Sequence, residues 1–368
     1  MQRIMRVAVA AIVSASVVGG APRPAISAAP GHRAVVKTVA VKTGLNGPSA
    51  FTFAPNGTIW YLERGTGEVH TLDPATGTDH RVFTISGVDG SGERGALGIA
   101  LHPNWPATPR VFVYVTRTRA GHLQNQLVRF TVNGGSGRNL RILLATPASA
   151  SPYHNGGRIL FGPDRRLYVV IGDGHNSANA QDRTGNLRGK ILRLDADGTA
   201  ARGNPIGRNW SYGHRNSFGF AFDPRTDRLW ETENGPECTD EINLIVKGAN
   251  FGWGPNETCA TAKPQGTNNS GPKPRHLPKA YFASTIGITG AAFCDRCGLG
   301  GTVNGDLVFG DVNTGAIRAI NLDATRTGFA GSPRVLLSAA SGVHSMEVSP
   351  KGRIFFSTAT GIYRLASV

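Results

Sequence analysis

A short pattern recurs six times along the 368-residue chain and restricts the possible folds more than any other feature. Each copy has an apolar segment, a turn rich in Pro, Gly, Asn and Asp, and then a strongly β-prone segment, which together predict a β-hairpin. Copies about 45–60 residues apart are typical of four-stranded propeller blades. The copies are residues 51–61, 99–116, 159–171, 220–230, 346–356 and a weaker one at 304–309.

The β-prone segments are apolar at successive positions, as in the sequence Leu-Tyr-Val-Val-Ile of residues 167–171. Strands that are buried on both faces need this composition, because neighbouring blades cover both sides of each sheet. The 49 Gly and 22 Pro residues also favour many short strands over long helices. We therefore predict an all-β fold, a six-bladed β-propeller of four-stranded antiparallel blades. A β-sandwich or a two-domain β protein is the alternative.

The N-terminus predicts export. Arg3 and Arg6 precede an apolar run from Val7 to Val18, and small residues follow at positions 25–29. This order is typical of a secretory signal peptide, here residues 1–29, and the run is shorter than the roughly 20 residues that span a bilayer. We expect a secreted protein (extracellular, periplasmic or in the cell envelope) without a membrane span. Residues 30–368 would form one propeller domain, with residues 30–40 a loose lead-in to the first strand.

Four cysteines lie close together in the chain, at Cys238, Cys259, Cys294 and Cys297. In an oxidising compartment two disulfides are expected, and we favour Cys238–Cys259 with Cys294–Cys297. A zinc site of four thiolates is the alternative, because the second pair has suitable local spacing. Between these pairs, residues 259–281 contain a polar, Pro/Gly-rich stretch that predicts an insertion between blades, near the channel mouth or on the rim.

The formal net charge is +15, which favours an anionic partner or simply a solvated basic surface. The basic residues are dispersed, without the basic runs or interleaved aromatic residues of nucleic-acid-binding segments. We therefore expect no nucleic-acid partner. Attraction to polyanions of the cell envelope is the alternative to a merely solvated surface.

Three polar, Gly-rich segments interrupt the apolar pattern at residues 154–158, 211–219 and 233–243. Each takes the same place in its repeat, so in a propeller the three should converge at one end of the central channel. Polar groups that converge on loops of a rigid scaffold are the usual form of a ligand site.

Within these segments His154 is a candidate general base, because imidazole titrates near neutral pH; a loop hydrogen bond is the alternative role. Arg215 offers a planar fork of donors for a carboxylate or quinone oxygen, or an ion pair with Asp240 or Glu241. The backbone carbonyls of Gly235-Pro236 could bind a hard cation, or the pair could simply form a turn.

The same segments carry a resemblance. Residues 240–253, residues 92–103, the His154 segment and Gly213-His-Arg-Asn216 resemble the glucose/sorbosone dehydrogenase family of pyrroloquinoline quinone (PQQ) enzymes. The similarity runs from about Pro48 to the C-terminus, and several long motifs occur in the right order. It implies a six-bladed propeller, in agreement with the six repeats.

The resemblance also implies an activity, the oxidation of aldose sugars or related polyols by hydride transfer to the C5 carbonyl of PQQ. His154 would take the proton of the sugar hydroxyl and Arg215 would polarise that carbonyl, with Asn216 beside it on the cofactor. Glu93 and Asp240 match positions near the sugar.

Two calcium sites are implied by the same resemblance. One ion, held by the carbonyls of Gly235 and Pro236, would bind PQQ and make it more electrophilic. Glu241 and the Phe251 carbonyl match part of a second, structural calcium site.

The chain departs from the family at its cofactor-gripping positions. Where family members use a Lys and two Arg to bind the PQQ carboxylates, this chain has Asn313, Gly342 and His344. Each lost charge-assisted hydrogen bond weakens binding by roughly 1.5–3 kcal/mol, although His344 and Arg318 could partly substitute. This leaves a redox-inactive propeller that binds a ligand or a protein as the alternative function, and a hydrolase or lactonase as a third. No motif identifies the sugar or the electron acceptor.

Overall fold

The computed structural model describes residues 36–236, 239–255 and 272–368. Its strands form six four-stranded antiparallel sheets arranged as a six-bladed β-propeller, so the predicted fold class is confirmed. Along the chain β1 (Val36–Thr43) comes first, and the blades then follow in order. The only helix among the described residues is the short α1 (Ala178–Gln181), and no described helix is long and apolar enough to cross a membrane.

Blade I contains β2 (Pro48–Phe53), β3 (Ile59–Glu63), β4 (Glu68–Leu72) and β5 (Asp79–Thr84). Blade II contains β6 (Ala96–Leu101), β7 (Arg110–Arg119), β8 (His122–Asn133) and β9 (Ser136–Pro147). Blade III contains β10 (Ile159–Phe161), β11 (Leu167–Ile171), β12 (Lys190–Leu194) and β13 (Asn209–Tyr212).

Blade IV contains β14 (Ser217–Phe222), β15 (Leu229–Glu233), β16 (Asp240–Leu244) and β17 (Ala280–Phe282). Blade V contains β18 (Ile288–Phe293), β19 (Leu307–Asp311), β20 (Ala316–Ile320) and β21 (Arg334–Ser338). Blade VI contains β22 (Ser345–Val348), β23 (Ile354–Ser357) and β24 (Gly361–Ser367), and takes β1 as its fourth strand.

The ring closes through β1, which pairs antiparallel with β24 from Val36 opposite Ser367 to Thr43 opposite Gly361. The prediction that residues 30–40 are a loose lead-in is therefore wrong from position 36 onwards. A closed ring needs an outer strand for the last blade, and the start of the chain supplies it.

The repeats mark the two inner strands of five blades. The weak copy at 304–309 is the exception, since it covers only the turn and the start of β19 in blade V. The inner strand there is β18, which is buried throughout but is followed by Cys294-Asp295 instead of a Pro/Gly turn. The repeat signal is weak in this blade because its inner hairpin has different turn chemistry.

The prediction of an insertion between blades at residues 259–281 is also wrong. Strand β17 pairs with β16 inside the blade IV sheet, so this stretch connects the third and fourth strands of one blade. The fourth strand lies far along the chain from its partner, and only tertiary pairing reveals it. Of the two predicted disulfides, Cys294–Cys297 is formed, which excludes the four-thiolate zinc site. Cys238 and Cys259 lie outside the described residues.

The core consists of apolar layers between neighbouring blades. Phe112 and Tyr114 of β7, for example, pack in one cluster with Leu167 and Val169 of β11 and with Leu192 of β12, and all five side chains are buried. Each such side chain stabilises the fold by about 1.5–3 kcal/mol relative to exposure. Both faces of the inner strands are covered, as their unbroken apolar sequences predicted.

Candidate functional site

Three loops meet at one end of the propeller: residues 153–158 before β10, residues 213–216 before β14 and residues 234–236 after β15. The prediction that all three polar segments take the same place in their repeats is wrong for the third, which follows the second strand of blade IV. Because antiparallel strands alternate in direction, the start of an inner strand and the end of the next strand lie at the same end of a blade. The predicted convergence therefore holds.

These loops surround a cavity of about 380 Å³. Its walls include the predicted residues Glu93, His154, Arg215, Asn216, Gly235, Pro236, Asp240 and Asn313. A second cavity of about 290 Å³ shares Glu93, Asn234 and Val312 with the first and extends to Arg64, Arg158 and His344. Blades distant in sequence thus contribute to one polar site.

His154 is buried, and its backbone has the left-handed φ of +58°. Its Nδ1 lies 2.7 Å from Oδ1 of Asp173, and its backbone N–H donates to Oε2 of Glu93 at 2.8 Å. An Nδ1–H that donates to a carboxylate leaves Nε2 as the acceptor atom of the ring. The arrangement gives His154 the tautomer that a general base requires.

Asp173 was not identified in the sequence. It lies two residues after the end of β11 and accepts hydrogen bonds from Trp253 Nε1 and from the backbone N–H of His175, both at 2.7 Å. The sequence does show an acidic residue between two glycines after a buried strand. It does not show that this residue contacts His154, which is 19 residues away and in another loop. The exposed His175 and Tyr153 form the rim of the cavity beside His154.

Glu93 links two of the loops. Its Oε2 accepts the backbone N–H of His154 and also Nδ2 of Asn216, at 3.0 Å. Arg64 holds the loop that carries Glu93, because its Nη1 donates to the carbonyls of Gly90 and Gly92 at 3.0 and 2.6 Å. Glu93 therefore both lines the cavity and holds its catalytic candidates in place.

Arg215 is held at both ends. Its backbone N–H donates to Glu233 at 2.6 Å, its Nη1 donates to the carbonyl of Asn234 at 2.9 Å, and the guanidinium lies 5.4 Å from the Trp253 ring centre. Burial lowers its pKa, but Asp173 and three further carboxylates oppose this change. It forms no ion pair with Asp240 in the described structure, and its Nε is buried without a hydrogen-bond partner there. A buried donor with no partner indicates that a ligand acceptor belongs beside it.

Gly235 and Asp240 fix the third loop. A Cβ at position 235 would lie 1.1 Å from the carbonyl oxygen of Thr239, so only glycine fits. The Asp240 carboxylate accepts the N–H of Gly235 and three successive N–H groups from Ile286 to Ile288. Asp240 lines the cavity, but its carboxylate is occupied by these backbone hydrogen bonds. Its role in the structure is to hold the loop that carries the Gly235 and Pro236 carbonyls.

A buried cluster supports these loops from behind. Nδ1 of His214 lies 3.2 Å from Glu231 and 3.1 Å from Glu233, and its Nε2 lies 2.8 Å from the Ser211 hydroxyl. Burial alone would lower the pKa of His214, but the two carboxylates outweigh it and raise that pKa to about 10. The charged imidazolium therefore holds Glu233, and Glu233 holds the backbone of Arg215.

Glu241 and Phe251, matched to the second calcium site, are both buried, and neither lines either cavity in the described structure. Phe251 stacks on the imidazole of His214, with ring centres 4.7 Å apart. Their assignment to a calcium site stays a prediction.

The next residues are those that the sequence suggested for binding the PQQ carboxylates, and the question is which of them carries a positive charge. Burial, together with the charges of Arg64 and Arg158, lowers the pKa of His344 to about 4, so this residue is neutral and does not replace a cation. Arg318 is engaged with Asp311, which also makes it unsuitable as a substitute. Arg64 and Arg158, overlooked in the sequence, instead supply positive charge to the second cavity.

Comparison with known proteins gives consistent results. A family model described as glucose/sorbosone dehydrogenase matches residues 45–365. Quinoprotein glucose dehydrogenase B of Acinetobacter calcoaceticus is 33% identical over 247 residues, which cover 58% of this chain and 51% of that protein. The chain thus spans about half the length of this relative.

Two further proteins match over most of their length. Aldose sugar dehydrogenase YliI of Escherichia coli is 27% identical over 367 residues, covering 86% of this chain and 94% of that protein. The PQQ-bound structure of aldose sugar dehydrogenase from Streptomyces coelicolor is 29% identical, with a TM-score of 0.77 and coverage of 90% of this chain and 97% of that one. The match of the family model over six blades, together with these similarities, shows that the chain belongs to the glucose/sorbosone dehydrogenase family.

Proposed function

We propose that this protein is an exported PQQ- and calcium-dependent dehydrogenase that oxidises aldose sugars or related polyols. The observation that carries the proposal is the His154–Asp173 pair, because its His154 lines the same cavity as Arg215 and the Gly235-Pro236 turn. Family membership and the PQQ-bound relative support it. The signal-like residues 1–29 support export.

The site residues fit the cofactor. Arg215 has a buried Nε without a partner in the described structure, suited to a quinone oxygen. Arg64 and Arg158 offer positive charge to carboxylates in the cavity that they line with the neutral His344, whereas the uncharged Asn313 lines the other cavity. Burial lowers the pKa of Arg158 only to about 10, so this residue is charged at neutral pH. When bound, PQQ would supply the hydride acceptor at its C5 carbonyl.

The chain's own residues would perform three tasks. His154 would accept the sugar hydroxyl proton at Nε2, and Asp173 would stabilise the imidazolium that forms. Arg215 and Asn216 would orient and polarise the quinone oxygen, while the carbonyls of Gly235 and Pro236 would hold calcium.

Direct measurement of cofactor binding tests the proposal. The mature protein is mixed with PQQ and calcium, and binding is followed by absorbance and calorimetry before dye reduction is assayed with a panel of aldoses. We expect saturable binding and sugar-dependent reduction. A folded protein that does not bind PQQ would overturn the proposal and favour the redox-inactive binding propeller.

The His154→Ala variant tests the base. We expect turnover to fall by about 10²–10⁴-fold with PQQ affinity nearly unchanged, because only proton transfer is removed. Matched variants at His122, an exposed histidine at the start of β8, should keep full turnover. Substantial dye reduction by His154→Ala would remove His154 from this role.

A further inference from the structure

Five arginines gather where blades II and III meet, and none forms an ion pair in the part of the chain that the structure describes. They are Arg110, Arg129, Arg138, Arg141 and Arg165. We call this group the arginine surface. Five of the 39 basic residues of the chain therefore form a cluster, although the basic residues are dispersed along the sequence.

Strand register places four of these residues on one face of blade II. Arg129 of β8 lies opposite Arg141 of β9, while Thr131 lies opposite both Arg110 of β7 and Arg138 of β9. Residues at directly opposed positions share a face of the sheet, and so do residues two apart in one strand. Like charges directly opposite each other destabilise a sheet, so this arrangement costs stability unless an anion compensates it.

Nearby carboxylates do not neutralise the arginine surface. Asp164 is engaged by Arg193 at 2.7 Å, and Asp195 is engaged by Arg166. Among the described acids of this region, only Asp197 is without an ion pair, and its carboxylate accepts local hydrogen bonds from Thr199. One acid therefore faces five unpaired arginines.

Geometry and electrostatics agree that the arginines influence one another. Nη1 of Arg129 donates to the carbonyl of Ala196 at 3.1 Å, which directs this side chain across the blade boundary. Burial and the charges of Arg110 and Arg141 lower the pKa of Arg129, and the charge of Asp197 opposes this change only in part. A groove of about 690 Å³ lies beside it, and its walls contain Arg110, Arg165 and Arg166 together with Asp164, Asp195 and Asp197.

The arginine surface lies at the end of the propeller opposite the candidate site. His154 precedes the inner strand β10, whereas Arg165 lies in the turn that follows β10. Arg110 likewise begins β7, directly after the inner strand β6 of blade II has reached that end. A ligand on this surface would leave the mouth of the candidate site open.

We propose that the arginine surface binds a linear polyanion with repeating phosphate groups, specifically a polyol-phosphate polymer of the cell envelope. Arginine forks match phosphate oxygens, and repeated charges match a row of arginines. No exposed Phe, Tyr or Trp lines the groove among the described residues, which disfavours base stacking by a nucleic acid. The choice of an envelope polymer also relies on the proposed export. Binding would anchor the protein with its candidate site facing away from the polymer.

Affinity for poly(glycerol phosphate) chains, measured by calorimetry at several salt concentrations, tests the proposal. We expect saturable binding that weakens as ionic strength rises, because the contacts are between exposed charges. The double variant Arg129→Ser/Arg141→Ser should weaken binding by roughly tenfold or more. The matched control, Lys37→Ser/Arg119→Ser, loses the same charge elsewhere on the exposed surface and should bind almost as the unchanged protein does.

Thermal unfolding of each variant checks that the fold is intact. If Arg129→Ser/Arg141→Ser does not fold, the exposed pair Arg138→Ser/Arg165→Ser takes its place. If the variants of the arginine surface and the control variant lose the same affinity for the polymer, only net charge matters and the proposal is overturned. Tighter binding of single-stranded DNA of equal charge would overturn it in favour of a nucleic acid. These outcomes do not depend on PQQ, so they are separate from the test of the dehydrogenase.

Discussion

At the scale of single residues, the contact between His154 and Asp173 decides what the site can do. The 2.7 Å contact with the Asp173 carboxylate assigns the ring proton to Nδ1 and leaves the free lone pair on Nε2. Trp253 and the backbone of His175 hold Asp173 in this orientation. The base that we propose therefore depends as much on its buried partner as on its own side chain.

The Asp173→Asn variant should lower kcat by about 10²-fold or more, because an amide that donates to Nδ1 forces the proton onto Nε2. Steady-state kinetics and PQQ titration measure the two effects separately, and cofactor affinity should be nearly unchanged. Trp253→Phe is the matched control, since it removes one hydrogen bond to Asp173 but keeps the tautomer. A kcat for Asp173→Asn no lower than that of the control would contradict the assignment.

Glu347 on β22 predicts a pH dependence of stability. Burial raises its pKa from 4.5 to about 7, against the opposing charge of Arg158. A carboxyl with a raised folded-state pKa stabilises the fold fully below about pH 4.5 and loses this contribution as pH rises through about 7. Glu347→Gln should therefore gain stability relative to the unchanged protein between these values. Urea unfolding at pH 4, 6 and 8 measures the difference in the free energy of unfolding between the two proteins. A difference that stays constant over this pH range would refute the prediction.

At the scale of strands and loops, the inner strands approach so closely that side chains are excluded at particular points. A Cβ on Gly290 of β18 would lie 2.3 Å from the backbone nitrogen of Met346 on β22. The sequence shows glycines in several inner strands, but it does not show which backbone each one faces. This contact joins blades V and VI near the axis.

Gly290→Ala should lower the free energy of unfolding by about 1–3 kcal/mol, the usual cost of overpacking a close contact. Denaturant unfolding measures the loss. Gly301→Ala is the control, because nothing lies within 4 Å of its added Cβ. If both substitutions lower the free energy of unfolding equally, blades V and VI accommodate the added methyl group and the close contact at Gly290 does not limit packing.

The sequence predicted the inner hairpins well and the outer strands poorly. Inner strands are buried on both faces, so their apolar runs and turn residues are visible locally. The outer strand β17 consists of three partly exposed residues after a long connection, and β1 is exposed or half-buried at every position after Val36. Their place is set by pairing with β16 and β24, to which no local pattern points.

At the scale of the whole molecule, the first and last described strands hold the ring together. Strand β1 pairs with β24 over seven residue pairs. Since each blade packs only against its neighbours, an incomplete blade VI would expose the edge of β24 and leave the closure without its outer layer.

Removal of residues 1–44 should lower Tm by more than about 10 °C or abolish a cooperative transition. Calorimetry measures the change. The shorter truncation of residues 1–35 keeps β1 and should unfold like the mature protein. Equal Tm values for the two truncations would show that closure through β1 is dispensable.

The sequence by itself determined the number of blades, the apolar inner strands, the Cys294–Cys297 pair and the loops that carry His154, Arg215 and Gly235-Pro236. These features are local, since they depend on residue types within short segments. Only the tertiary structure decided that Asp173 pairs with His154, that Arg64 and Arg158 line one cavity together with His344, and that the arginine surface lies opposite the site. Each of these depends on which blades become neighbours, and closure of the ring determines that.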